Sequence, residues 1–279
     1  MPQPTLDEKY EHVQRILREL ESVAIAFSAG VDSTFLLKVA VTTLGPENVV
    51  AVTGRSDSLA RAELEEARAL ADAVGAEHVI LDTGEFENPN YTANPNDRCY
   101  FCKAALYARL ERFIDERGIN AVLSGTNADD LGDYRPGIKA AYEHNVREPV
   151  AEAGLAKEDV RELSKRLGLP THDKPASPCL ASRVPYGEEI TPEKLRMIEA
   201  AEAFLHEEMG IRECRVRHHN NLARIEVAPE FIRLLAQPEN ASRIDQHFRS
   251  LGYNYVTLDL RGFRSGSMNE VIAIESPPE

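Results

Sequence analysis

The chain has 279 residues, enough for one large domain or two modest ones, each with its own core. Apolar residues make up 43% and aromatics 6%, and the net charge is −14, from 46 acidic and 32 basic residues. No apolar run approaches the ~20 residues of a membrane span, and such an acidic surface repels polyphosphate backbones unless a basic patch intervenes. The opening Met-Pro-Gln-Pro-Thr-Leu-Asp-Glu lacks the pattern of a signal peptide. The expectation is a cytoplasmic protein without a membrane or nucleic-acid partner. In chain order, Val23–Phe27 reads as a first strand, followed by a small-residue turn and a helix from Phe35. Val49–Thr53 is a second strand, Ala60–Val74 a helix and Glu77–Leu81 a third strand. A helix near Cys102–Arg117 leads to strand Ala121–Ser124. Strands alternating with helices predict an α/β fold with a parallel, doubly wound sheet covered on both faces. Residues 170–192 are rich in proline, which predicts a boundary between a first domain, 1–186, and a smaller α+β domain, 187–279. The second domain reads as helix 193–209, strands 211–218 and 222–228, helix 230–250 broken at Pro238, and strand 253–260.

Ligands of such sheets bind beyond the carboxyl ends of the strands. Three polar turns fall there: Ser28-Ala29-Gly30-Val31-Asp32-Ser33, Thr53 to Ser58, and Gly125-Thr126-Asn127-Ala128-Asp129-Asp130. The first runs straight into a helix, so its amides meet the positive end of a helix dipole, a natural seat for phosphate. Ser28 and Ser33 add hydroxyls, and small Ala29 and Gly30 allow an anion to approach the backbone. The turn is not a Walker A loop, because no Gly-Lys-Ser/Thr follows at the required spacing.

Four cysteines in a chain of this kind favour metal or catalytic use over a disulfide framework. Cys99 and Cys102 lie in Arg-Cys-Tyr-Phe-Cys-Lys, and Cys179 in Ser-Pro-Cys-Leu-Ala-Ser-Arg. The pair does not read as a thioredoxin-type dithiol, which follows a first strand and caps a helix. Three thiolates with an open position suit a [4Fe–4S] cluster able to hold an extra sulfide. Cys214 lies in a strand pattern and reads as a buried residue. Cys179 is set among Pro175, Pro178 and Pro185, with Arg183 nearby to favour its thiolate.

Ser-x-Gly-x-Asp-Ser at 28–33 resembles the PP-loop of ATP pyrophosphatases, with Ala29 where that loop usually has glycine. With Arg98–Lys103, Gly125–Gly137, Ser177–Arg183 and Leu258–Asn269, the whole chain resembles the LarE-type ATP-dependent sulfur transferases of nickel-pincer nucleotide synthesis. The resemblance implies that a carboxylate of pyridinium-3,5-dicarboxylate mononucleotide attacks the α-phosphorus of ATP, and that sulfur then displaces AMP. It implies ATP and Mg²⁺, with Ser28–Ser33, Thr53, Ser58, Gly125, Thr126 and Arg183 at the nucleotide, and Asp32 and Asp129 at the metal. Cys179 would deliver sulfur. In one kind of family member that cysteine gives up its own sulfur and becomes dehydroalanine; in the other, three cysteines hold a [4Fe–4S] cluster. The presence of Cys99, Cys102 and Cys179 favours the cluster. Glu202, Arg215, Arg217 and Glu226 stand where the family gathers charge near the sulfur donor. Arg215 and Arg217 alternate along a strand and share a face, so they suit a substrate phosphate or carboxylate; Arg261 and Arg264 are weaker candidates. A homo-oligomer is also implied. Three other readings share parts of this chemistry. A tRNA-thiolating PP-loop enzyme is opposed by the acidic charge, and an ammonia-dependent amidating ligase needs no thiols. A nucleotide-binding or iron–sulfur carrier would release no pyrophosphate.

Overall fold

Val23-Ala24-Ile25-Ala26 is apolar at every position and forms β1 (Val23–Ala26), buried along its whole length. A strand buried on both faces belongs in the middle of a parallel sheet. β1 pairs in parallel with β2 (Val49–Arg55) on one side and β4 (Ala121–Leu123) on the other, and β3 (Glu77–Asp82) extends the sheet beyond β2, giving the order β3-β2-β1-β4. The computed structural model describes residues 4–132 and 136–264. Residues 133–135 of the third motif and 265–269 of the last lie outside them.

Alternate residues of each strand enter different cores, as a period of two requires. Val23, Ile25, Val49, Ala51 and Leu123 pack with α1 (Leu6–Leu20), α2 (Val31–Leu44), α3 (Arg61–Val74) and α8 (Lys157–Arg166). Ala24, Ala26, Val50, Val52 and Val122 face the opposite way, against α5 (Arg98–Arg117) and α6 (Pro136–Glu143). Two single turns, α4 (Pro89–Thr92) and α7 (Pro149–Glu152), join these elements. The doubly wound expectation holds, and because all four strands are parallel, the loops after them leave from one rim. Besides the single turns, three helices were not anticipated: α1, α6 and α8. α1 is opened by a Thr5–Glu8 capping box and buries Val13, Ile16 and Leu17; α8 buries Val160 and Leu163.

By packing, the residues divide into two units. One runs to Tyr91 and again over Asn96–Ser177; the other takes Thr92–Pro95 and the chain from Pro178 onward. The change of unit falls inside the proline-rich stretch 170–192. The second unit is a three-stranded sheet of order β5-β6-β7, from β5 (Cys214–His219), β6 (Leu222–Val227) and β7 (Tyr255–Leu258). β5 and β6 are antiparallel, β6 and β7 parallel. The expected 230–250 helix is two helices, α10 (Pro229–Leu235) and α11 (Pro238–Ser250), with Pro238 opening the second. Cys214, Val216, Ala223, Ile225 and Val227 form the apolar side of the sheet, packed with Ala201 and Leu205 of α9 (Pro192–Glu207) and Ile244 and Phe248 of α11. Cys214 is fully buried, as expected, and burial pushes its thiol pKa up.

His218 shares that interior, its Nδ1 3.2 Å from the Tyr253 hydroxyl. Burial first, then the charges of Lys194 and His219, hold its pKa down to about 4, against an ordinary value of 6.5. Below pH 6.5 the unfolded chain therefore takes up a proton that the folded unit refuses. Stability present above pH 6.5 is lost as the pH falls towards 4. A His218→Gln variant should lack that slope, amounting to about 2 kcal/mol across the window. Urea unfolding of both proteins at pH 7 and pH 4.5 measures it, and parallel losses would contradict this role for His218.

Candidate active site

The turn after β1 is shaped for an anion. Ala29 adopts a left-handed φ of 56°, and Gly30 caps α2 without a side-chain hydrogen bond. The amides of Val31, Asp32 and Ser33 open the helix and have no intrahelical acceptor. Ser33 Oγ sits 3.1 Å from Ser28 Oγ, accepts from the Ser28 amide at 3.3 Å and donates to the Gly30 carbonyl at 3.3 Å, which closes the turn on itself. The stretch expected to cradle phosphate, Ser28 to Ser33, is thus the turn between β1 and α2 together with the first residues of that helix.

The loop after β4 docks on the same helix end. A Cβ built on Gly125 would lie 2.8 Å from the Ser33 nitrogen and 2.9 Å from the Asp32 carbonyl carbon, both backbone atoms. Gly125 is thus required by the close approach of two loops. A Gly125→Ala variant should lose at least about tenfold in ATP affinity, since overpacking of this kind costs ~1–3 kcal/mol and falls on the cradle itself. Equilibrium binding of Mg-ATP measures it, and an unchanged affinity would contradict the packing argument.

Asp32 is half-buried in the first turn of α2, with Lys157 Nζ 2.6 Å from one carboxylate oxygen and Asn127 Nδ2 3.4 Å from the other. Asp129, exposed, accepts from the Lys157 amide at 2.9 Å. One residue at the start of α8 therefore ties together the two carboxylates expected at the metal. Both supply the hard oxygen ligands that Mg²⁺ prefers, so they fit that ion beside the cradle. Thr126 Oγ1 lies 2.8 Å from Ser124 Oγ. Thr53 and Ser58 are buried: Thr53 donates to the Phe27 carbonyl at 2.9 Å, with His78 Nε2 2.8 Å away, and Ser58 meets the Tyr91 hydroxyl. In the structure the Thr53 hydroxyl ties β2 to the residue after β1, and the Ser58 hydroxyl ties the turn after β2 to α4.

Cys99 and Cys102 fall in the first two turns of α5, which begins four residues before the expected start. The pair thus opens a helix after all, one turn apart, with Cys99 exposed and Cys102 half-buried. None of the four cysteines is in a disulfide. Among the described residues, no three His, Cys, Asp or Glu side chains gather as metal ligands. Of the three thiols expected at a cluster, Cys99 and Cys102 lie in the first unit and Cys179 in the other.

In that second unit Cys179 is exposed at the start of a 3₁₀ turn, Leu180–Arg183. The backbone of the turn is held from beneath. Arg183 is buried, grips Glu202 through two hydrogen bonds of 2.9 Å and donates to the carbonyls of Pro178 and Cys179. Arg217 donates to Glu226 at 2.8 and 3.0 Å and to the Ser182 carbonyl at 2.9 Å. Glu202 also accepts from the Val216 amide. Arg215, Arg217 and Glu226 share the polar face of the β5–β6 pair, where Arg215 lies opposite Glu226. Arg215 is buried against the Phe263 ring, its centre 5.1 Å away, and burial followed by the nearby Arg183 charge lowers its pKa. Arg264 is paired with Asp259. The structure thus gathers Cys179, Arg183, Glu202, Arg215, Arg217 and Glu226. Arg183 and Arg217 serve the backbone of the cysteine turn, a role that the residue types alone did not disclose.

The profile of the NAD synthase family matches residues 9–181. An uncharacterized protein of Synechocystis is 49% identical over 96% of this chain and 99% of its own. The pyridinium-3,5-bisthiocarboxylic acid mononucleotide synthase of Lactiplantibacillus plantarum is 39% identical over 96% of both chains. The chain belongs to the LarE-type sulfur transferases. As a LarE-type protein it is an ATP-dependent enzyme of the PP-loop superfamily, whose members use ATP and Mg²⁺. A component of the glutamine-hydrolysing GMP synthase of Methanopyrus kandleri is 27% identical over 75% of this LarE-type chain and 69% of its own. Among the described residues no helix is long and apolar enough to cross a membrane.

Proposed function

We propose that this LarE-type enzyme adenylates a carboxylate of pyridinium-3,5-dicarboxylate mononucleotide and replaces its oxygen with sulfur through Cys179. The carboxylate oxygen attacks the α-phosphorus of ATP, the bond to the β-phosphate breaks, and pyrophosphate leaves. The amides of α2 and the Ser28 and Ser33 hydroxyls offset charge on the departing phosphates. Mg²⁺, held by Asp32 and Asp129, supplies further charge neutralisation when bound. Sulfur then attacks the acyl carbon and AMP departs. Where Cys179 gives its own sulfur, loss of its α-proton and cleavage of its Cβ–S bond release the thiocarboxylate and leave dehydroalanine.

The observation that carries this reading is the pairing of an anion cradle lined by Asp32 with an exposed, rigidly mounted cysteine turn in one LarE-type chain. Arg215 and Arg217 line the polar sheet face of the unit that bears Cys179, which supports a role for Arg215 in holding a substrate anion. Homo-oligomerisation belongs to the same reading.

A second reading of the sulfur source is a [4Fe–4S] cluster on Cys99, Cys102 and Cys179 carrying the transferred sulfide. The accessible pair at the head of α5 supports it. Anaerobic purification with iron and labile sulfide analysis, beside a Cys99→Ala variant, tests it. About four irons per chain, lost in the variant, support the cluster. An iron-free protein after reconstitution supports Cys179 as a single-use donor, and mass spectrometry after turnover should then show that residue lacking one sulfur. Pyrophosphate release that requires the pyridinium carboxylate tests the wider proposal. Release driven by tRNA, or amide formation from ammonia, would overturn it.

A further inference from the structure

Lys174 lies 145 residues along the chain from Ala29, yet its ammonium reaches the carbonyl of that loop residue. Its Nζ lies 3.2 Å from the Ala29 carbonyl, 2.7 Å from Glu66 Oε2 and 3.4 Å from Glu63 Oε2. Ala29 is the buried loop residue with a left-handed φ of 56°, a conformation unfavourable for a non-glycine residue. A planar peptide sets its C=O and N–H on opposite sides. The cation that holds the Ala29 carbonyl therefore fixes the direction of the Gly30 amide at the head of α2. Released, that peptide is free to turn an oxygen towards the phosphates. The segment around Lys174 is itself anchored: Arg161 donates to the carbonyls of His172 and Lys174, and Ser177 donates to Glu63 at 2.6 Å.

We propose that Lys174, braced by Glu63 and Glu66, is a positioning residue that latches the phosphate loop in its anion-binding form. The latch lies five residues before Cys179 in the chain, so the strand of sequence that bears the sulfur donor also sets the ATP loop. The inference rests on the nucleotide part of the proposed function.

Two measurements on the full-length protein test it. The first is hydrogen exchange of the Ala29 and Gly30 amides without nucleotide, which depends on no assumed substrate. The second is Mg-ATP binding by calorimetry. In Lys174→Met, exchange at these amides should quicken and the dissociation constant should rise about tenfold, the loss of one charge-assisted hydrogen bond. Lys174→Arg should restore most of the affinity. Glu66→Gln, at a half-exposed carboxylate, should shift binding the same way by about threefold, since it loosens the brace. Glu66→Gln with unchanged or tighter binding, beside a Lys174→Met loss above about a hundredfold, would mean that Lys174 grips the phosphates directly and would overturn the latch. Unchanged exchange in Lys174→Met would overturn it too. Failure of the wild-type protein to bind Mg-ATP would instead count against the proposed function.

Discussion

Asp32→Ala should abolish pyrophosphate release, with a loss of at least about a thousandfold, or ~4 kcal/mol of transition-state stabilisation. Asp32 stands in the first turn of α2, among amides with no intrahelical acceptor, and Asp129 of the loop after β4 is tied to the same lysine. On the proposed reading, removing its carboxylate takes away a charge that would hold Mg²⁺ near the leaving group. The fold should survive, because the side chain is half-buried and contributes nothing to the apolar core. Lys157→Met separates the two possible functions of the carboxylate. If Asp32 mattered only as the partner of Lys157, both variants would fail alike. The metal role predicts that Lys157→Met retains more than a tenth of the rate, by the usual scale of a lost half-exposed ion pair. Quenched-flow measurement of pyrophosphate reads both, and an Asp32→Ala rate above a tenth of wild type would sink the assignment.

Cys179→Ala should do the reverse. Pyrophosphate release in a single turnover should stay within about threefold of wild type, while thiocarboxylate formation disappears, as expected when a nucleophile is lost from the second of two steps. The structure favours such a clean separation. Arg183 and Arg217 hold the turn by the carbonyls of residues 178, 179 and 182, none of which the substitution removes. The thiol itself is exposed, so its loss leaves no cavity. Rapid-quench analysis of AMP, acyl-adenylate and product measures both steps. Equal loss of both activities would contradict separate roles for Asp32 and Cys179.

The sequence disclosed most where local physics leaves few options. Val23–Ala26 is apolar throughout because both faces are covered, and the small residues that follow it form the tight turn into α2, with Ala29 at a left-handed φ. The alternation of Arg215 and Arg217 likewise predicted a shared face, which β5 and β6 display. What escaped was long-range. Lys157 and Lys174 lie 125 and 145 residues from the loop atoms they touch, and no spacing rule links such positions. The Thr5-x-x-Glu8 capping box was readable and would have given α1. The start of α5 was misplaced although Asp97, an N-cap residue type, stands just before Arg98 and could have marked it. The engagement of Arg183 and Arg217 with Glu202 and Glu226 depends on α9 and β6 meeting the cysteine turn, a tertiary fact that residue type cannot reveal.

Adenylation followed by exchange of oxygen for sulfur leaves its mark in the mass of the product. The reduced protein, kept free of oxygen, would be mixed with Mg-ATP and pyridinium-3,5-dicarboxylate mononucleotide and the nucleotide product weighed by mass spectrometry. One carboxylate oxygen should be replaced by sulfur, with one AMP and one pyrophosphate formed for each replacement. A nucleotide returned unchanged while ATP is cleaved, or one converted to an amide when ammonia is supplied, would contradict the proposed reaction.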